Sequence, residues 1–243
     1  MKGRIVLSPW LTEIDSIEND EVCIISIPLE HTDIHKSELL ECLNDEERGR
    51  ADRFRVEKPR NQFVITRGFL RKALGRLTGV APKQVSFGYS GIGKPFLLGQ
   101  GDQLQFNVSH TDGLALIAIA RQVIGVDLEK VRSIENMDGL IVRFFSEVEQ
   151  ACYLSLDSTK RPAGFFRGWT SKEAVIKAAG LSVSCLDAFD VEINPDRPAK
   201  LLEARKPEVQ RMNLKLAAFV PADGYVAAVA VEGVVELVVD SAV

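Results

Sequence analysis

Asp127 and Glu129 stand two residues apart in the run Ile124 to Lys130, and Glu173 lies further along in the group Trp169, Thr170, Ser171, Lys172, Glu173. On an extended strand, residues i and i+2 share a face, so the first two carboxylates project together. Two anions held side by side repel unless a cation neutralises them. A hard divalent ion such as magnesium takes one or two protein carboxylates and completes its shell with water and phosphate oxygens. Each acid also has a plain structural reading. Asp127 and Glu129 can be solvated charges at a strand end, and Glu173 can pair with Lys177 at the i,i+4 spacing of a helix surface. Trp169 falls on the side of Glu173, as a neighbour of the site or as an ordinary core anchor.

Two further groups bear chemistry. Phe106, Asn107, Val108, Ser109, His110 and Thr111 read as the end of a strand running into a tight turn, where hydroxyl, imidazole and backbone N–H groups can hold a phosphate. Ser109 activated by His110 is disfavoured as a nucleophile, because adjacent strand residues face opposite sides and no glycine-flanked serine elbow is present. Gly91, Ile92, Gly93, Lys94 and Pro95 form a glycine-rich segment, but Pro95 stands where a P-loop has serine or threonine. A β-turn is the alternative reading. Cys23, Cys42, Cys152 and Cys185 lie far apart, and they and His31, His35 and His110 show no zinc-ligand spacing. Reduced core thiols are expected.

The elements that position these groups belong to an ordinary globular composition, 46% hydrophobic and 26% charged over 243 residues. No apolar run reaches the roughly 20 residues of a membrane-spanning helix. No secretory pattern follows Lys2 and Arg4, so a cytoplasmic location is the default expectation. Charge is polarised: Arg48 to Arg76 holds ten lysines and arginines against Asp52 and Glu57, a net +8 in a chain whose total is −4. Such a segment suits an anionic ligand or partner, or is simply a solvated helix face. Nucleic acid is the weaker choice at a pI near 5.6.

The order of elements recurs. A strand at Val22 to Ile27, a helix opened by Asn44 with Glu47 three residues on, and a long helix from Pro59 to Leu77 precede strands near Gln84 to Gly88, Leu104 to Val108 and Leu114 to Ala120. Then come a strand at Val123 to Leu128, a helix opened by Ser146 with Glu149, and a long helix from Pro162 to Ala179. Strands at Asp187 to Ile193, Asn213 to Val220, Tyr225 to Val231 and Val234 to Val239 follow. Both long helices have proline near the start and glycine at the end, Pro59 with Gly75 and Pro162 with Gly180. The reading is an internal duplication: an α+β chain of two similar α/β halves, 1–121 and 122–243, related by a pseudo-twofold axis, with the active site in the cleft between them.

The ordered set Gly93-Lys94-Pro95, Phe106-Asn107-Val108-Ser109-His110, Gly125-Val126-Asp127-Leu128-Glu129 and Trp169-Thr170-Ser171-Lys172-Glu173-Ala174 with Lys177 resembles the 4'-phosphopantetheinyl transferase superfamily, in its larger, two-halved monomeric class. The resemblance implies that coenzyme A binds in the cleft and that its phosphopantetheine arm passes to a serine of an apo acyl, peptidyl or polyketide carrier protein, leaving adenosine 3',5'-bisphosphate. It implies magnesium held by Asp127, Glu129 and Glu173, with Glu173 also accepting the serine proton, directly or through water. Lys172 and Lys177 would hold the arm and the leaving phosphate, Ser109 and His110 the coenzyme phosphates, Lys94 the adenine side and a phosphate, and Arg67 the 3'-phosphate. A carrier-binding module without catalysis, or a metal-dependent phosphodiesterase acting on coenzyme A, are the competing readings.

Overall fold

The computed structural model describes residues 2–8, 16–30, 36–99, 103–233 and 236–240. His31, His35, Val234 and Val235 lie outside them. The first half runs β1 (Lys2–Ser8), β2 (Glu21–Pro28), α1 (Lys36–Cys42), α2 (Asp45–Asp52), α3 (Glu57–Thr78), the hairpin β3 (Ser86–Tyr89) and β4 (Pro95–Leu98), β5 (Gln105–Thr111) and β6 (Leu114–Ala120). The second runs β7 (Ile124–Lys130), α4 (Met137–Phe144), α5 (Glu147–Ser155), α6 (Arg161–Ala179), the hairpin β8 (Phe189–Val191) and β9 (Leu201–Ala204), α7 (Pro207–Arg211), β10 (Leu214–Phe219), β11 (Tyr225–Glu232) and β12 (Glu236–Asp240).

The duplication is visible in the strand order. β2 pairs with β6 and β6 with β5, all antiparallel, while β7 pairs with β11 and β11 with β10 in the same sense. Both halves also repeat a buried tie. Asn44 caps α2 in a capping box with Glu47, and Ser146 caps α5 in one with Glu149. A capping-box glutamate satisfies an orphan N–H at its helix start. Here each also reaches inward to a cation of the half's long helix: Glu47 to Arg71 of α3, and Glu149 to Lys172 of α6.

Alternation along the central strands builds three cores. In β2 and β6, Cys23, Ile25, Ile27, Ala115, Ile117 and Ile119 face α3, while Val22, Ile24, Leu116 and Ala118 face the opposite way. That opposite face meets Ile124, Val126 and Leu128 of β7 and Ala227, Val229 and Val231 of β11. On the far side of β11, Ala228 and Ala230 pack with α6 residues such as Val175 and Ile176. The layers are therefore helix, sheet, sheet, helix, with the sheets burying apolar faces on each other. At Gly125 a Cβ would collide with the Ala174 carbonyl oxygen and the Ala178 amide, so glycine alone lets α6 lie this close to β7. Among the described residues, no helix is long and apolar enough to cross a membrane.

Some expectations change. α3 ends at Thr78, one residue past the expected Leu77, and its closing glycine is Gly79 at φ 71° rather than Gly75, which sits inside the helix close to the Val80 carbonyl. β12 does not complete the second sheet: it runs parallel to β1, and the first sheet reads β12-β1-β2-β6-β5. β12 thus lies in the sheet of the first half, and the turn at Arg121 and Gln122 separates β6 from β7. Arg121 donates from Nε to the Ile17 carbonyl at 2.8 Å and fixes that turn to the first half.

Candidate active site

The two sheets meet along β5 and β7, and a side chain rather than a backbone ladder joins them there: Asn107 Oδ1 accepts from the Val126 amide at 2.8 Å. One pleat further on, the buried Ser109 donates from Oγ to Asp127 Oδ1 at 2.9 Å. Lys177, one turn beyond Glu173 on α6, places its ammonium 2.6 Å from the same Asp127 oxygen and 3.2 Å from Ser109 Oγ. Strand and helix together thus bring Ser109, Asp127 and Lys177 into one cluster on the seam. Lys94 arrives from the β3–β4 turn and donates to the Lys177 carbonyl at 2.6 Å and the Ile124 carbonyl at 3.1 Å. Burial lowers its ammonium to a pKa of about 8.

Glu129 and Glu173 face the same cluster, half-buried, and each carboxyl pKa is raised, first by burial and then by the charge of Asp127. Lys177 counteracts both. Asp127 keeps a second carboxylate oxygen, Oδ2, buried with no hydrogen-bond partner. A buried, unpartnered anionic oxygen beside two further carboxyls fits a hard divalent cation. Among the described residues, however, no three acids, histidines or cysteines are drawn close enough to form a ready metal cage. The Lys177 ammonium takes up the other Asp127 oxygen, Oδ1.

The structure relocates other expected residues. Ser109 and His110 do not lie in a turn: β5 continues through Thr111, and the turn is at Asp112 and Gly113, where Gly113 has φ 85°. The polar groups offered there are side chains rather than a ring of turn amides. His110 is on the exposed side, its pKa lowered by desolvation and by Lys177. Asp112 is held by Lys58 at 2.6 Å and Lys130 at 3.4 Å, so its charge is compensated away from the cluster. Trp169 is an anchor, its ring meeting Phe144 and Phe165.

Lys172 is the clear correction. It is fully buried, and its ammonium gives its three hydrogen bonds to Glu149 Oε1, Glu149 Oε2 and the Phe189 carbonyl at 2.8, 2.7 and 3.0 Å. An ammonium has three donors, so none remains for a phosphate or a pantetheine arm. Residues 172 and 173 point about 100° apart on the helix, which sends Glu173 to the seam and Lys172 to the core. Arg67 is apart from the cluster: its guanidinium sits on Phe87, bonds Glu47 through Nε at 2.9 Å and reaches Tyr89 Oη at 3.0 Å. Asn107, Glu47 and Glu149 are the residues to which sequence reasoning gave no role at the site. The capping-box spacing marked both glutamates as helix starts, and only folding shows that they also hold buried cations. Of the cysteines, Cys23 alone is in the core, its thiol pushed up to about 12 by burial; Cys42, Cys152 and Cys185 are half-buried free thiols.

Residues 123–230 match the model of the 4'-phosphopantetheinyl transferase superfamily, and residues 31–122 that of the 4'-phosphopantetheinyl transferase N-terminal region. The 4'-phosphopantetheinyl transferase HetI of Nostoc sp. is 39% identical, over 92% of this chain and 94% of its own length. The 4'-phosphopantetheinyl transferase Sfp of Bacillus subtilis is 28% identical over 63% of this chain and 68% of its own. Among solved structures, Helicobacter pylori holo-[acyl-carrier-protein] synthase in complex with coenzyme A is 21% identical, covering 45% of this chain and 99% of that one at a TM-score of 0.34.

Proposed function

The chain belongs to the 4'-phosphopantetheinyl transferase superfamily and is an enzyme of that class, and on that premise we propose that it moves the phosphopantetheine arm of coenzyme A onto a serine of an apo carrier protein, releasing adenosine 3',5'-bisphosphate. The observation that carries the reading is the seam cluster, in which Asp127, Ser109 and Lys177 from three elements share one set of contacts with Glu129 and Glu173 beside them. Cations and carboxylates on one seam suit a reaction in which a phosphate ester is displaced at phosphorus while a hydroxyl loses its proton.

Within this reading each residue has a task. Asp127, Glu129 and Glu173 would hold a magnesium ion, which when bound draws charge from the pyrophosphate. Glu173 takes the serine proton, and its raised carboxyl pKa makes it a better acceptor than an ordinary glutamate. Lys177 neutralises the departing phosphate. Lys94, Ser109 and His110 line the path of the coenzyme phosphates, and Arg67 beside Tyr89 meets the 3'-phosphate. One chain supplies both sides of the seam, so a monomer suffices. The test is to incubate the purified protein with coenzyme A, magnesium and a panel of apo carrier domains. The expected result is a mass gain of one phosphopantetheine group on at least one carrier. A folded preparation that modifies none of them with any divalent metal would sink the reading.

Lys94 adds a pH dependence. Its pKa is lowered to about 8 in the free protein, so the ammonium discharges as pH rises through that value. The KM for coenzyme A is expected to climb between about pH 7.5 and 9 as this attraction is lost. Lys94→Met should begin with a higher KM and show a flatter profile. Parallel profiles for the two proteins would remove Lys94 from coenzyme binding.

A further inference from the structure

The basic segment from Arg48 to Arg76 is not one uniform surface, because folding commits most of its cations. Arg71 is fully buried on Glu47, and Arg67 shares that carboxylate. Arg48 donates to the Leu43 and Glu41 carbonyls, Arg60 pairs with Asp52, and Lys72 lies 3.7 Å from Glu38. Arg50 rests over the Phe63 ring at 4.9 Å. Arg53 and Arg55, in the connection between α2 and α3, are different: both are exposed, and neither guanidinium has an ion pair or hydrogen bond among the described residues. Beside them Val56 is 61% exposed at the N-cap of α3, although its neighbour Phe54 packs on Phe63.

This corner is tied to the mouth of the seam. Lys58, in the first turn of α3, pairs with Asp112 at 2.6 Å, and Asp112 also takes Lys130 at 3.4 Å. Asp112 follows His110 by two residues and Lys130 follows Glu129 by one, so the chain of charges runs from the corner to the end of the cluster. Two unpaired arginines just ahead of an exposed aliphatic side chain form a surface complementary to an acidic protein face that presents an apolar residue. Within the transferase reading a protein substrate must be held while its serine enters the seam.

We propose that Arg53, Arg55 and Val56 dock the acidic, apolar-centred face of the carrier protein that receives the phosphopantetheine group. The inference rests on the transferase reading. The arginines supply steering and orientation, which act on encounter and weaken with salt. Val56 supplies an apolar contact that salt does not screen.

The experiment compares wild type, Arg53→Glu/Arg55→Glu and Val56→Ser with coenzyme A and one purified apo carrier domain that the wild type modifies. The charge-reversed protein should lose about tenfold or more in kcat/KM for the carrier at low salt. Its KM for coenzyme A should stay within about twofold, and the deficit should shrink toward that of a neutral surface near 0.5 M salt, where the Debye length falls to a few ångströms. Val56→Ser should lose a few-fold at both salt concentrations. An unchanged kcat/KM for the carrier in the charge-reversed protein overturns the inference. So does a rise in coenzyme KM with carrier kinetics intact, which would assign the arginines to the coenzyme phosphates. If the wild type modifies no carrier, the transferase reading itself has failed, which is a separate outcome from loss of the docking face.

Discussion

Asp127→Asn is expected to reduce phosphopantetheine transfer about 10²-fold or more while leaving the fold in place. The asparagine carbonyl can still accept from Ser109 Oγ and from the Lys177 ammonium, which stand 2.9 and 2.6 Å from the present Oδ1. What disappears is the charge, together with the buried and unpartnered Oδ2 that a divalent cation would satisfy. The loss should be accompanied by a higher magnesium requirement in the residual activity. A second signature separates electrostatics from damage. Asp127 is one cause of the raised carboxyl pKa of Glu173 and of Glu129, so its neutralisation should move the acid limb of any residual pH profile to lower pH. A variant that keeps more than a tenth of wild-type transfer at ordinary magnesium would show that Asp127 is not at the reacting centre.

Lys172→Met should produce the largest loss of stability. Lys172 and Glu149 are both fully buried in their side chains, and the ammonium also lies 5.1 and 5.6 Å from the Phe189 and Phe145 ring centroids. Removing the cation leaves a carboxylate inside the second half with only the Ser146 and Val191 amides to satisfy it. Breaking a buried ion pair in this way typically costs about 3–5 kcal/mol. That is a drop of roughly 10 °C in melting temperature for a chain of this size. Adding Glu149→Gln should recover a substantial part, because glutamine keeps the capping-box position without the charge. If Lys172 instead gripped coenzyme, the single variant would melt normally and show a raised KM for coenzyme A.

These two residues also show where the sequence is legible. The shared face of Asp127 and Glu129 follows from the period of a strand, whereas grouping them with Glu173 comes from the family resemblance and not from any local pattern; in the fold α6, which carries Glu173, packs on β7. Adjacent Lys172 and Glu173 look equally chemical in one dimension. Their 100° separation on α6 assigns one to the core and the other to the seam, and which of them is buried depends on where α5 and β8 pack. The polar run Ser109 to Thr111 carries no apolar alternation to mark it as strand, although its backbone pairs with β6. Short elements such as α1, β4 and α4 have too few residues to establish a period. The duplication was readable through its capping boxes, since Asn44 with Glu47 and Ser146 with Glu149 are local signals. The partner of β12 was not, because no local pattern records a strand's neighbour at the other end of the chain.

That last pairing bears on how the polypeptide reaches its final form. Lys2 stands opposite Glu236 and Val6 opposite Asp240, in a parallel register that no hairpin can deliver. During synthesis the first half can collapse around α3, but its sheet keeps the edge of β1 open until the second half has emerged and folded. Contacts of such long sequence separation form late and slow the overall rate. Until then the exposed edge can recruit a strand from another nascent chain. Assembly during synthesis is thus not a simple succession of two finished halves: β1, the first of the described strands to be made, is completed along that edge only by β12, the last.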